Sequence, residues 1–271
     1  MHTYFPGPTF WPAVYVFCSV RFITRLHFYA NNIYPLCSYT RARCQRTFLS
    51  SFFKNAKVYG MFFPNAGMKK KVIGLLGSPL PEGNAAQLLA RALAGAEAAG
   101  CSVELIPLTC LEFQSCQEKF FCRDHETCIL DDDMQQIFPK FREMDSLILA
   151  TPVMIMGIPG TLKSFMDRFQ VFFMAKYLRK QSLVSPEKRA GRNGLFIGIS
   201  GMDVPEVFVG SKLTVRAFFD IIDCQYHDEL LINDMDRILD ITTRPDLLDA
   251  AYKKGFALGA SLAASGQSPE K

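Results

Sequence analysis

The sequence predicts an α/β fold, a doubly wound parallel sheet of five strands, on three observations. From Lys71 onward short apolar runs alternate with stretches of helical periodicity, the pattern of successive βαβ units. The apolar runs end in loops of small or turn-forming residues such as Gly77-Ser78-Pro79, Thr151-Pro152 and Ser200-Gly201. The composition, 49% hydrophobic and 21% charged, fits a folded globular chain and excludes a disordered, collagen-like or coiled-coil one.

The elements follow in order. Residues 71–76 read as a buried strand and 77–83 as a loop, after which Asn84 is placed to cap a helix whose Leu88, Leu89, Ala92, Leu93 and Ala96 share a face, ending at Gly100. A second strand is expected over 103–108. A cysteine-bearing stretch follows, and Asp131-Asp132-Asp133 marks a helix start, where carboxylates offset the N-terminal dipole. Pro139 should kink or shorten that helix. Residues 146–150 form the third strand, and Pro159 suits the first turn of a helix carrying Leu162, Phe165, Met166 and Phe169. The fourth strand is expected over 195–200, a helix over 211–222, a fifth strand over 230–232 and a closing helix over 245–264.

The first 67 residues differ from the rest. They hold seven of the 30 Lys and Arg, three of the nine Cys and 17 of the 34 aromatic residues, while all 26 acidic residues come later. An acid-free stretch of that length lacks the carboxylates that helix starts, turns and solubility call for. Residues 1–67 are therefore expected to be an extension without a fold of its own, and 68–271 a single functional domain. Without the extension the charge is 23 basic against 26 acidic groups, a net of −3, so the basic balance of the whole chain says nothing about polyanionic partners and no nucleic-acid partner is expected. The longest early apolar run, Phe10 to Val20, contains Pro12 and stops at Arg21, short of the roughly 18 residues that a membrane span needs. A cytoplasmic protein with no membrane partner is the expectation.

In a doubly wound sheet, ligands bind outside the carboxyl ends of the strands, where the strand order reverses. Three loops here leave strand ends. The first, Gly77-Ser78-Pro79-Leu80-Pro81-Glu82-Gly83-Asn84-Ala85, leads into a helix, so its backbone N–H groups, the Ser78 hydroxyl and the Asn84 amide form a candidate phosphate cradle. It is neither a dinucleotide fingerprint nor a P-loop with Lys, which argues against a nucleoside triphosphate. The second, residues 151–160, stays apolar with Met154 and Met156, as a loop covering a flat ring would. The third, Ser200-Gly201-Met202-Asp203, offers small residues and free backbone groups. One loop for a phosphate and two for a planar ring suggest a mononucleotide with a large aromatic head.

On these residues the chain resembles the flavodoxin-like NAD(P)H-dependent FMN reductases, and within them the branch that includes iron–sulfur flavoproteins. The resemblance spans about Met68 to Gly259. It rests on Gly77-Ser78-Pro79 with Gly83-Asn84, on Thr151-Pro152-Val153 followed by Gly160-x-Leu162-Lys163-x-Phe165-x-Asp167-Arg168, and on Cys128 through Met134. It implies FMN as cofactor with NAD(P)H as co-substrate, and a homodimer or homotetramer. The implied cofactor contacts are Ser78, Pro79, Gly83, Asn84 and Ala85 at the phosphate, and Thr151, Pro152, Val153, Met154, Gly157, Ser200, Gly201 and Met202 around the ring. No catalytic acid is implied, because hydride transfer to a flavin does not require one.

The departures from the family pattern are specific. Leu80 stands where the family tends to have Arg, and Ala85 where it prefers Thr or Ser. In the cysteine region Cys116, Cys122 and Cys128 match three of the four cysteines of the iron–sulfur branch, and Lys119 occupies the second position. A [4Fe–4S] cluster would have to recruit Cys110, accept another ligand or be absent. A zinc site from Cys116, Cys122, His125 and Cys128 is a further candidate, and a loop of free thiols the plain alternative. Asp167-Arg168 is expected to make a structural ion pair, and His227 to be a surface or strand-end residue. The expected function is an FMN-dependent NAD(P)H oxidoreductase passing electrons to a small acceptor such as a quinone or free flavin. The alternatives are an iron–sulfur flavoprotein-type electron-transfer protein and a flavodoxin-like binding module that has lost FMN.

Overall fold

A computed structural model describes residues 69–204 and 206–264. The expectation for residues 1–67 lies outside the described residues. Five strands, β1 (Lys71–Leu76), β2 (Ser102–Pro107), β3 (Ser146–Pro152), β4 (Asn193–Ile199) and β5 (Gln225–Ile232), form one sheet in the order β2-β1-β3-β4-β5. All pairings are parallel. The chain steps outward from β1 to β2, then crosses back to place β3 on the other side of β1, so the strand order reverses between β1 and β3. This is the flavodoxin-like doubly wound sheet.

The helices are α1 (Asn84–Ala98), α2 (Met134–Glu143), α3 (Gly160–Asp167), α4 (Gln170–Phe173), α5 (Pro186–Ala190), α6 (Val209–Ile221), α7 (Met235–Ile238) and α8 (Pro245–Ala264). Alternation along the strands divides the core between two faces. Ile73, Leu75, Leu147 and Leu149 pack with the apolar sides of α2, α3, α4 and α6, including Phe141, Phe165, Phe169 and Phe218. Val72, Leu76, Ile148 and Ile197 pack with α1 and α8. Those two helices cross closely because both carry glycine at the crossing: a Cβ on Gly255 would lie 1.9 Å from the Ala92 carbonyl oxygen, and one on Gly95 2.1 Å from that of Tyr252.

Two local expectations are corrected. Pro139 does not end α2, which runs through it to Glu143. It gives up the single bond to the carbonyl one turn back. At the far end of α2 the buried Arg192 guanidinium donates to the carbonyls of Phe141 and Arg142, placing a cation at the negative end of the helix. β5 begins at Gln225 rather than Leu230, because a bulge opposite Gly194 and Leu195 lets the exposed His227 drop out of register and the ladder continue.

Candidate functional site

Parallel register brings the three loops to one edge of the sheet. Leu76 pairs with Ala150, Ala150 with Ile197, and Pro152 with Ile199, so the chain leaves β1, β3 and β4 side by side. Gly77 N donates to Ala150 O at 2.8 Å and Val153 N to Ile199 O at 2.8 Å, stitching each loop to the next strand.

In the first loop Ser78 is buried and its Oγ accepts a hydrogen bond from Leu80 N at 3.1 Å, which leaves the hydroxyl proton available to another acceptor. A Cβ on Gly77 would stand 2.5 Å from the side chain of Leu162, so α3 packs directly against the loop. α1 has no acidic residue in its first turn, and its first internal bond runs from Gln87 N to Gly83 O. The N–H groups of Asn84, Ala85 and Ala86 therefore lie ahead of that bond without a helical acceptor. The Asn84 side chain is not a cap. Its amide donates to Leu239 O at 2.9 Å and its oxygen accepts from Ile241 N at 3.0 Å, tying α1 to the segment after α7. Ala85 points into the core, so it can present only its backbone, whereas Leu80 is 60% exposed.

The second loop closes on itself. Met154 N donates to Gly157 O at 2.8 Å and Gly157 N to Met154 O at 3.0 Å, a two-residue turn with Ile155 at φ 48° and Met156 at φ 59°. Both central residues are left-handed, a conformation that favours Asn and Gly and is strained for β-branched Ile. The turn holds Met154 and Met156 about two-fifths exposed and Ile155 fully so. Thr151 is buried and its hydroxyl donates to Pro152 O at 3.1 Å. In the third loop Met202 N donates to the buried Ser200 Oγ at 3.2 Å, and a Cβ on Gly201 would lie 2.3 Å from an Asp236 carboxylate oxygen. The expected free N–H groups of the second loop are thus partly used by its own turn. Gly201 and Asp203 keep N–H groups with no acceptor among the described residues.

Three of the cysteines lie on the segment between β2 and α2, against α3. Cys116, Cys122 and Cys128 line an open pocket of about 590 Å³ with Lys119, Phe120 and, on α3, Lys163. Burial pushes the Cys122 thiol up, reinforced by the nearby Cys128 and Cys116. Cys110 is disulfide-bonded, so it does not supply the fourth thiolate. The zinc set is not brought together either: His125 stacks on Phe121 at 3.7 Å with Nδ1 against Phe121 O, and among the described residues no three His, Cys, Asp or Glu converge on one ion.

Sequence reasoning missed what holds this segment. Arg168 does not pair with its neighbour Asp167, which pairs with Lys163 at 2.5 Å. It is buried and bonds both carboxylate oxygens of Asp132 and the carbonyl of Gln114. Burial pushes the Asp132 carboxyl up, but Arg168 and the N–H groups of Gln114 and Met134 outweigh it and hold the group below the usual carboxylate range. The aspartates expected to cap α2 therefore anchor the cysteine segment as well, Asp133 accepting from Glu112 N at 2.8 Å. An Arg directly after an Asp gave no signal that its partner lay 36 residues away.

Sheet order and all-parallel pairing define the class, a flavodoxin-like domain with three loops at one edge. Residues 70–203, from the start of β1 through the third loop, match the family model described as NADPH-dependent FMN reductase. Among curated relatives, an iron–sulfur flavoprotein of Methanocaldococcus jannaschii is 36% identical over 124 residues, covering 46% of this chain and 64% of that protein. An iron–sulfur flavoprotein of Methanosarcina thermophila is 26% identical over 176 residues, covering 65% of this chain and 83% of that protein. The chain thus spans just under two thirds of the first of these relatives. Among solved structures, an NAD(P)H:quinone oxidoreductase from Methanothermobacter marburgensis superposes with TM-score 0.54 at 17% identity, over 70% of this chain and 97% of that one. An FMN-dependent NADH-azoreductase from Bacillus anthracis str. Ames Ancestor, in complex with FMN, gives 0.52 at 18%, over 72% and 99%. At those identities the likeness is one of fold.

Proposed function

We propose that the protein is an FMN-dependent oxidoreductase that takes hydride from NADH or NADPH and passes electrons to a small acceptor such as a quinone or free flavin. The observation that carries the reading is the single sheet edge onto which β1, β3 and β4 deliver a phosphate-type loop and two ring-type loops. The donor set fits FMN: a buried hydroxyl at Ser78 whose proton is not used by Leu80, and helix N–H groups with no acid in the first turn. Bound there, FMN supplies the reversible acceptance of hydride.

The chain's own residues bind and orient. Ser78, Pro79 and Gly83 with the N–H groups of Asn84 and Ala85 hold the phosphate. Thr151, Pro152, Val153 and Gly157 set the wall beside the ring, and Met154 and Met202 cover it with polarizable thioethers. The N–H groups of Gly201 and Asp203 donate to the ring edge where negative charge grows, a preorganised stabilisation. Ser200 holds that loop through Met202 N. The Leu80 side chain contributes no cation, so the phosphate is held by neutral donors and the dipole of α1 alone.

Among the described residues no helix is long and apolar enough to cross a membrane, and we place the enzyme in the cytoplasm, where its reductants are made. A homodimer or homotetramer is supported by exposed Ile155, Val209 and Leu213 on a surface made continuous by the contact of Met156 O with Gly210. A second reading, electron transfer through an iron–sulfur centre beside FMN, is favoured by the cysteine-lined pocket. The full-length chain, loaded with FMN, should oxidise NADH or NADPH anaerobically when a quinone is supplied and fail to do so without FMN. No turnover with either nucleotide, despite bound FMN, would refute the reading.

A further inference from the structure

The segment that follows β5, residues 233–241, is pinned at both ends to the loops of the flavin edge. Met235 N donates to Ser200 O at 2.9 Å and Asn233 Nδ2 to Asp203 Oδ1 at 2.5 Å, which fixes its start to the third loop. The Asn84 side chain, through Leu239 O and Ile241 N, fixes its end to the start of α1. A short stretch held at two points presents its side chains in set positions.

Residues 200–204 and 233–241 carry four carboxylates, Asp203, Asp234, Asp236 and Asp240. Three are engaged. Asp203 accepts from Asn233, Asp234 pairs with Arg237 at 3.2 Å, and Asp240 accepts from Thr242 N at 2.9 Å. Asp236 is the exception, with neither a hydrogen-bond donor nor a cation at its carboxylate among the described residues. That carboxylate lies against the third loop: a Cβ on Gly201 would stand 2.3 Å from one of its oxygens and 2.7 Å from the other. No Lys or Arg occurs in residues 200–204 or 233–236, and Arg237 is turned to Asp234.

An unpaired carboxylate here works against the donors beside it. The N–H groups of Gly201 and Asp203 serve the ring edge where negative charge grows. Hydride from the nicotinamide brings two electrons and one proton to a neutral oxidised flavin, and so adds one negative charge. Passing them to a quinone, with one further proton from solvent, restores the neutral ring. A fixed negative charge beside that edge opposes the first step and favours the second, by a repulsion that a neutral side chain does not exert. The Asp236 side chain is solvent-exposed, and a flat ring laid on this loop displaces water from beside it, which weakens the screening between them.

We propose that Asp236 tunes the flavin: its carboxylate, held against Gly201, lowers the reduction potential of the bound ring and so favours the release of electrons to the acceptor. It acts through its field and through the third loop, as a positioning residue, not a catalytic one. The inference rests on the flavin reading and adds to it the group that sets how tightly the ring holds its electrons.

The test uses the full chain loaded with FMN. The two-electron midpoint potential is measured anaerobically against reference dyes for the parent, Asp236→Asn and Asp236→Lys, and the dissociation constant of oxidised FMN is measured alongside by fluorescence. Asp236→Asn should bind reduced FMN about tenfold more tightly relative to oxidised FMN, a rise of about 30 mV in a two-electron couple. Asp236→Lys should raise the potential further. A response graded with charge, from negative through neutral to positive, is one that a merely structural role would not give. Potentials that coincide in three proteins that all bind FMN, or that fall in Asp236→Asn, would overturn the proposal and leave the flavin reading standing. A parent protein that binds no FMN would overturn both.

Discussion

The flavin loops and the cysteine segment are positioned by different physics. Each flavin loop is the last turn of a strand, so the parallel ladder fixes where it starts and hydrogen bonds such as Gly77 N to Ala150 O fix how it leaves. Residues 111–133 have no ladder beyond a single short helical turn at Phe121–Arg123. They are held from outside, by Arg168 on Asp132 and Gln114 and by Arg179 on Cys122. A site set on a sheet edge inherits its rigidity from the core, whereas a site on a long loop needs dedicated buried side chains to hold it.

That contrast is broken most directly at Arg168. Arg168→Met removes one partner of a buried ion pair and strands the Asp132 carboxylate, and should lower stability by about 3–5 kcal/mol, read as the shift of the urea midpoint. The same pair carries a pH signature. The Asp132 carboxyl is held below its unfolded value, so its contribution is complete above roughly pH 4 and is lost as pH falls further through the lower folded pKa. The parent should lose stability over that acid window, and the Arg168→Met protein should show a flatter profile there.

Asn84 gives the next largest effect. Asn84→Ala loses two bonds to the segment 239–241 and should cost about 1–3 kcal/mol, while flavin binding weakens only modestly because the phosphate donors are the Ser78 hydroxyl and backbone groups. A large loss of FMN affinity without a loss of stability would return the side chain to the phosphate site.

How far the sequence spoke follows the same division. The first four strands and the loop after each were legible, because buried parallel strands are continuous apolar runs and their ends are marked by Gly, Ser and Pro, whereas the polar first half of β5 was not. The role of Asn84 was not, since an Asn before a helix reads as a cap whatever its side chain meets 155 residues away. Asp132 likewise looked like an N-terminal carboxylate until folding brought Arg168 to it. The Met154–Gly157 turn was hidden because Ile155-Met156 breaks the turn rule that would have announced it. Such a local conflict is expected where function overrides propensity.

Two smaller effects sharpen the account of the flavin edge. Leu80→Arg, at an exposed position, should tighten FMN by about tenfold, roughly 1–2 kcal/mol, by returning a cation to the phosphate, and should leave riboflavin binding unchanged. Thr at Ala85 is less suitable, because that side chain faces the core. Met156→Gly should raise stability by up to about 1 kcal/mol by relieving a left-handed non-glycine residue, while the Michaelis constant for the acceptor rises as apolar cover is lost. A destabilised Met156→Gly would mean that the turn is not strained.

The central claim is that the loop after β1 and the first turn of α1 hold a phosphate whose ring lies over the loops after β3 and β4. Titration of the full chain with FMN and with riboflavin, followed by flavin fluorescence, tests it most directly, since the two ligands differ only in that phosphate. The account predicts FMN to bind at least about tenfold more tightly than riboflavin, the worth of one to two charge-assisted hydrogen bonds. Equal affinities, or no binding of either flavin, would contradict it.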